Sequence, residues 1–321
     1  MIISKLKLAI LITTSIISVL CVLSFVNEYS SYKYELRPEK DQWLNFSLMG
    51  QFNFISNNIS TWSNSWSKLI NPNDIIIAVP DCLSHRYPKL SQESYLCYEG
   101  DKGFYSPYMN IAKVLRKNLR NAILYVHDDM LLTSSLWKKL GKTHWVVATQ
   151  FWRWYDVIKL YKNGTTSINS KLLDKWPHWK RCNKSFIKIM NDDDILPILH
   201  ESTNETPYLN VRFGQSDMLY AYFSNVEQKS YFLDILDLFA KHKLFLECAL
   251  PTAVLMTNEK FGVQIYNAPL CTNWNYGTIR DHPDKMIQSC KKKNHTHEAY
   301  HPVKLGINSN WSLYFDKILS M

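Results

Sequence analysis

The segment Ile123–Met130, ILYVHDDM, constrains this chain more than any other, because a short apolar run is followed at once by two adjacent carboxylates, Asp128 and Asp129. Isoleucine, leucine, tyrosine and valine suit a buried strand, and strands usually run about five or six residues, so the acids fall at a strand end. In an open α/β sheet ligands bind outside the carboxyl ends of the strands. Paired carboxylates there suit a divalent cation, which in turn can hold a diphosphate. The competing reading of the pair is a turn that caps a helix beginning near Leu131.

The flanking sequence supplies the rest of a parallel sheet. Asp74–Val79, DIIIAV, is a β-branched run closed by Pro80-Asp81 and reads as the first strand of the core. Ser106-Pro107 is a helix start, and Tyr108, Ile111, Ala112, Leu115 and Leu119 follow with helical spacing. Strand, helix and strand in this order make a right-handed crossover, which would bring Asp81 and Asp129 into one cleft. Farther on, His144–Thr149 and Gly262–Tyr266 read as strands and Tyr231–Ala240 as an amphipathic helix.

Leu8–Val26 is uncharged and close to the ~20 residues that cross a bilayer. Lys5 and Lys7 precede it, which predicts a cytosolic tail (1–7), a signal-anchor (8–26) and a lumenal remainder; a cleaved signal peptide is the alternative. Residues 27–72 are expected to form a helical stem. There Leu44, Leu48, Phe52, Ile55, Ile59, Trp62, Trp66 and Leu69 recur every three or four residues and would pack on the following domain or form a homodimer seam. Residues 73–321 are expected to form one catalytic domain.

Six cysteines outside the apolar segment (Cys82, Cys97, Cys182, Cys248, Cys271, Cys290) are an even number suited to disulfides in an oxidising lumen, with Cys82–Cys97 as one expected bridge. Sequons at Asn45, Asn58, Asn163, Asn183, Asn204, Asn294 and Asn310 add weak support in so Asn-rich a chain. The net charge of +9 suits anionic ligands such as nucleotide diphosphates as well as plain solubility, and the lumenal compartment argues against nucleic acid.

With these residues the layout resembles the type II Golgi glycosyltransferases of the GT-A fold, whose Rossmann-like mixed sheet is flanked by helices and carries an Asp-x-Asp-type motif at a strand end. The resemblance implies an enzyme that transfers a sugar from a nucleotide-sugar donor to a glycan, glycoprotein or glycolipid acceptor, using Mn²⁺ or Mg²⁺, at a Golgi or endoplasmic reticulum membrane. Carried onto this sequence, Asp129 is the metal ligand, Asp128 its neighbour on metal or donor, and His127 occupies the position that often meets the ribose. His127 departs from the commonest form of the motif.

Other candidates are weighed on chemistry. Asp81 and Arg86, with Lys89, follow the Asp74–Val79 strand and would meet the donor; exposed loop cations are the bland reading. Asp217 and Glu247 are the candidate catalytic acids, the first also readable as a helix cap, the second as half of an ion pair with Arg212 or a lysine of Lys241-His242-Lys243. Trp152 and Trp154 are acceptor-flanking or core residues. The run Asn191-Asp192-Asp193-Asp194 reads as a solvated loop, and His295, His297 and His301 as a solvated basic tail. Two other classes stay open: a non-catalytic carbohydrate-binding glycoprotein, and a metal-dependent hydrolase using His127, Asp128, Asp129 and His200.

Overall fold

The computed structural model describes residues 46–52, 59–67, 69–80, 95–98, 106–117, 120–140, 144–149, 157–168, 173, 178–198, 200–202, 205–214, 216–272, 288–290 and 297–301. All of them fall within one compact unit, Leu44–Met321. The apolar segment Leu8–Val26 and the Cys82–Cys97 pairing lie outside the described residues, and among those residues no helix is long and apolar enough to cross a membrane.

The chain runs β1 (Ser47–Gln51), α1 (Ile59–Trp66), β2 (Ile75–Pro80), β3 (Tyr95–Tyr98), α2 (Ser106–Lys117), β4 (Ala122–His127), β5 (Leu131–Leu132), α3 (Ser134–Trp137), β6 (Trp145–Thr149) and β7 (Ile158–Tyr161). It continues with α4 (Trp179–Met190), β8 (His200–Ser202), β9 (Glu205–Val211), β10 (Met218–Tyr222), α5 (Val226–Lys241), α6 (Leu246–Phe261), β11 (Ile265–Thr272) and β12 (Ala299–His301). The main sheet has nine strands in the order β3-β2-β1-β4-β10-β6-β11-β12-β5. β10 is antiparallel to both its neighbours, and β5 closes the far edge antiparallel to β12. The strands β7, β9 and β8 form a separate small sheet.

Alternate side chains of the main sheet feed two apolar layers, as a pleated strand requires. Met49, Ile123, Tyr125, Val147 and Leu219 meet α2, α4, α5, α6 and the small sheet on one face. Leu48, Ile77, Leu124, Val126 and Tyr220 meet α1 and α3 on the other. The result is a mixed α/β fold with helices on both faces of the sheet.

The stem expectation is corrected here. Ser47–Gln51 is a wholly buried strand at the centre of the sheet, paired in parallel with β2 and β4, and only Ile59–Trp66 of that segment is described as helix. Asp74–Val79 is accordingly the second strand. The four-residue spacing of Leu44, Leu48 and Phe52 is an even number, so it satisfies strand alternation as well as a helical stripe, and packing decided between them. The strand expected over Gly262–Tyr266 begins later and runs Ile265–Thr272.

Gly50 shows how tightly α1 sits on β1. A Cβ there would overlap the indole of Trp62, whose side chain is buried against Phe52 and Trp66 with ring centroids 5.3 and 5.5 Å away. Trp66 in turn packs on Trp137 at 4.6 Å. The aromatic stripe read as a possible dimer seam is thus the inner face of a core helix.

Among the described residues two disulfides join distant segments: Cys182–Cys248 ties α4 to α6, and Cys271–Cys290 ties β11 to the chain leading into β12. Both fit an oxidising, secretory compartment. The two described sequons differ in kind. Asn163 lies exposed in a turn with Gly164 at φ 83°, and its Oδ1 accepts from the N–H and hydroxyl of Thr165 at 3.0 and 2.7 Å. Asn183 lies mid-way along α4 with Ser185 of its sequon buried.

Two outcomes follow from these contacts. Gly50→Ala lowers the unfolding free energy by about 1–3 kcal/mol by overpacking, and adding Trp62→Phe restores part of the loss, as urea denaturation will read. In a secretory host, peptide mass mapping finds glycan on Asn163 and none on Asn183, since an acceptor must lie on an accessible loop.

Candidate functional site

The first four strands of the sheet stand in the order β3-β2-β1-β4, so the direction in which successive strands are added reverses at β1 and β4, which remain parallel. Crevices for ligands open at the carboxyl ends of strands at such a switch point. Gln51 and His127 are in register there, as the last residues of β1 and β4. Asp128 and Asp129 form the turn that follows: Asp128 N–H donates to Gln51 O at 3.0 Å and Met130 N–H to His127 O at 3.1 Å. The pair does not cap a helix at Leu131, which is a strand; α3 begins later, after Thr133.

His127, Asp128 and Asp129 offer ligand atoms within 4.8 Å of one another. Two carboxylates and an imidazole are a donor set that a divalent cation accepts. Nε2 of His127 is buried and has no hydrogen-bond partner among the described residues, which fits a group expected to meet a ligand.

His301 joins this group, and the solvated-tail expectation for it is corrected. β12 pairs antiparallel with β5, Tyr300 opposite Leu131 and Ala299 opposite Leu132. Continuing that register sets His301 opposite Met130, beside Asp129. The residue is buried, with Nε2 3.2 Å from Asp129 Oδ1 and Nδ1 3.4 Å from Asp217 Oδ2. A strand of 3 residues needs outside help, and Glu298 supplies it. Its N–H donates to Pro269 O at 2.8 Å, its carbonyl accepts from Thr133 N–H at 2.9 Å, and its carboxylate pairs with Lys139 and Tyr266. The signal missed in the sequence was Ala299-Tyr300, a strand-like pair isolated in a polar stretch.

Asp217 is not a helix cap. It precedes β10, and its backbone carbonyl accepts the His127 N–H at 2.9 Å. Glu247 sits in the first turn of α6, four residues before Pro251. Pro251 has no N–H to give the Glu247 carbonyl, a defect that inside a helix costs about 3 kcal/mol. Gly214 N–H fills the vacancy at 2.9 Å and so docks the lead-in to β10 on the start of α6. The Cys182–Cys248 bridge holds the same turn from α4.

Glu247 has no described ion pair with Arg212, Lys241 or Lys243; its charged neighbours are Asp217 and His301. Burial pushes its carboxyl up to about 8, the negative charge of Asp217 adds to this, and His301 opposes it. Asp192, in contrast, is held well below the usual carboxylate range by hydrogen bonds from Lys241 and His242. Asp192 lies 2.8 Å from Lys241 Nζ and 2.5 Å from His242 Nε2, and Asp194 3.0 Å from the same lysine, so this run is an ion-pair latch on the end of α5. His200 lies in the small sheet, apart from the β4 end. Asp81, Arg86, Lys89, Trp152, Trp154 and His295 lie outside the described residues.

No family model matches the chain, and no curated protein matches it. Among solved structures the chain is similar to the apo crystal structure of mouse xyloside xylosyltransferase 1, at 8% identity and a TM-score of 0.34, covering 80% of this chain and 97% of that one. A superposition that loose leaves assignment to the geometry of the site.

The raised Glu247 carboxyl has a consequence for stability. A folded pKa above the unfolded one gives a contribution fully present below about pH 4.5 that is lost as pH rises through about 8. With chelator present, Glu247→Gln therefore flattens the decline in melting temperature across that window and leaves the protein more stable than wild type above pH 8, as scanning calorimetry will show.

Proposed function

We propose that the chain is a metal-dependent glycosyltransferase of the GT-A type, moving a sugar from a nucleotide-sugar donor to a glycan, protein or lipid acceptor. The observation that carries the reading is the Asp128-Asp129 turn at the β1/β4 switch point with His301 brought against Asp129 from a remote strand. Two adjacent carboxylates and an imidazole from a remote strand are costly to gather under cover unless they hold something. Asp129, with His301 and Asp128, would hold Mn²⁺ or Mg²⁺; the ion, when bound, neutralises the donor diphosphate and its developing charge as the sugar leaves. His127, at the end of β4, is the donor-side contact, with Asp81 and Arg86 as further donor candidates.

Glu247 is the acid–base candidate. A carboxyl raised to about 8 is poised near neutral pH, where a base that takes the acceptor hydroxyl proton works best. The Gly214–Glu247 bond and the adjoining disulfide hold it, with Asp217 and His301 as its charged neighbours. An acceptor hydroxyl presented from the Glu247 side, with the donor on the Asp129 side, gives the sugar a path between the two. The same reading implies a lumenal catalytic unit on a single-pass type II anchor over residues 8–26.

Asp129→Asn tests the reading. It keeps the shape and removes the charge, so Mn²⁺-dependent nucleotide-sugar binding and transfer fall by orders of magnitude while melting in the absence of metal is nearly unchanged. Asp193→Asn has little effect on either. Full transfer by Asp129→Asn, with a dead Asp193 or Asp194 variant, places the site at the other acidic run.

A further inference from the structure

We propose that Asp217 is a positioning residue for His301, holding the imidazole so that Nε2 faces Asp129 and the cation position. The proposal rests on the metal-dependent reading above. Asp217 precedes β10 and His301 ends β12, and these strands are not neighbours in the sheet. Yet the ring stands between two carboxylates, 3.4 Å from Asp217 Oδ2 on its Nδ1 edge and 3.2 Å from Asp129 Oδ1 on its Nε2 edge. All three side chains are largely covered, at 12%, 15% and 6% exposure for Asp217, Asp129 and His301.

In its neutral form an imidazole offers one N–H and one lone pair, so with a carboxylate at each edge of the ring only one of the two can receive its N–H. A cation on the Asp129 side would settle which: the Nε2 lone pair would face positive charge, and the N–H would stand on Nδ1, 3.4 Å from Asp217 Oδ2. Carboxylates placed behind a ligating histidine fix its tautomer and ring orientation, and losing one typically costs about 10–100-fold in metal affinity. The loop that carries Asp217 is itself pinned, at Gly214 by the Glu247 carbonyl and at Asp217 by the His127 N–H. Asp217 therefore acts through His301, and the acid–base work falls to Glu247 alone.

The test uses the full chain with Mn²⁺ alone as probe. Asp217→Asn weakens Mn²⁺ binding, read from the electron paramagnetic resonance of the free ion, by about 10–100-fold, and Asp217→Glu recovers part of it. Both variants melt near the wild-type value in chelator. In the wild type loaded with Mg²⁺, ¹⁵N spectra of the His301 ring place the proton on Nδ1, and Asp217→Asn loses that preference. Wild-type Mn²⁺ affinity in Asp217→Asn overturns the proposal. So does a wild-type ring protonated on Nε2, a reading that holds even where the variant fails to fold. Mn²⁺ binding that survives Asp129→Asn removes the metal reading and this proposal together, whereas loss in Asp129→Asn without loss in Asp217→Asn removes the role of Asp217 alone.

Discussion

The parallel ladder between β1 and β4 sets the position of every group in the site, because it brings Gln51 and His127 level at the carboxyl end of the sheet where the strand order turns back on itself. A slip of one residue would turn the apolar set of β4 to the wrong face and carry Asp128 and Asp129 away from the crevice. That slip is opposed on both sides of the sheet. Met49, Ile123 and Tyr125 are locked into one apolar layer, and Leu48, Leu124 and Val126 into the other. Gly50 adds a steric pin, since it is the close seat of Trp62.

On that frame the site is assembled from backbone contacts more than from side-chain ion pairs. The His127 N–H reaches Asp217 O, the Gly214 N–H reaches Glu247 O, and the Thr133 N–H reaches Glu298 O. Each joins a loop of the site to an element already fixed in the core. Buried carboxylates repel and are poorly hydrated, so a cluster of Asp129, Asp217 and Glu247 would spread apart on flexible loops. Here the backbone bonds and the described disulfides anchor the elements that carry them, and burial, with the negative charge of Asp217 added, raises the Glu247 carboxyl.

The two acidic runs show why composition is a poor guide to chemistry. Asp192 and Asp194 have cations within ion-pair distance and stabilise the junction of α4 with α5. Asp128 and Asp129 follow a buried strand, group with His127, and Asp129 meets the His301 imidazole. A carboxylate held by lysine has less to offer a divalent ion than one at a strand end among other possible ligands.

What the sequence determined by itself was local: the strand Ala122–His127 ending in two acids, the strand Ile75–Pro80, the helix opening at Ser106, the strand Trp145–Thr149 and the helix that includes Tyr231–Ala240, while the strand Tyr95–Tyr98 between the first two of these strands in the chain went unread. These segments carry unbroken period-two or period-3.6 patterns, and their end residues could be read directly. Glu247 and Asp217 were visible as acids in unusual settings, but not as neighbours. The tertiary structure alone decided that Ser47–Gln51 is a central strand, since its spacing suits helix and strand alike until β2 and β4 flank it. It also decided that His301 belongs to the site. A strand of 3 residues has too little pattern to announce itself, and only pairing with β5 and the clamp at Glu298 give it a place.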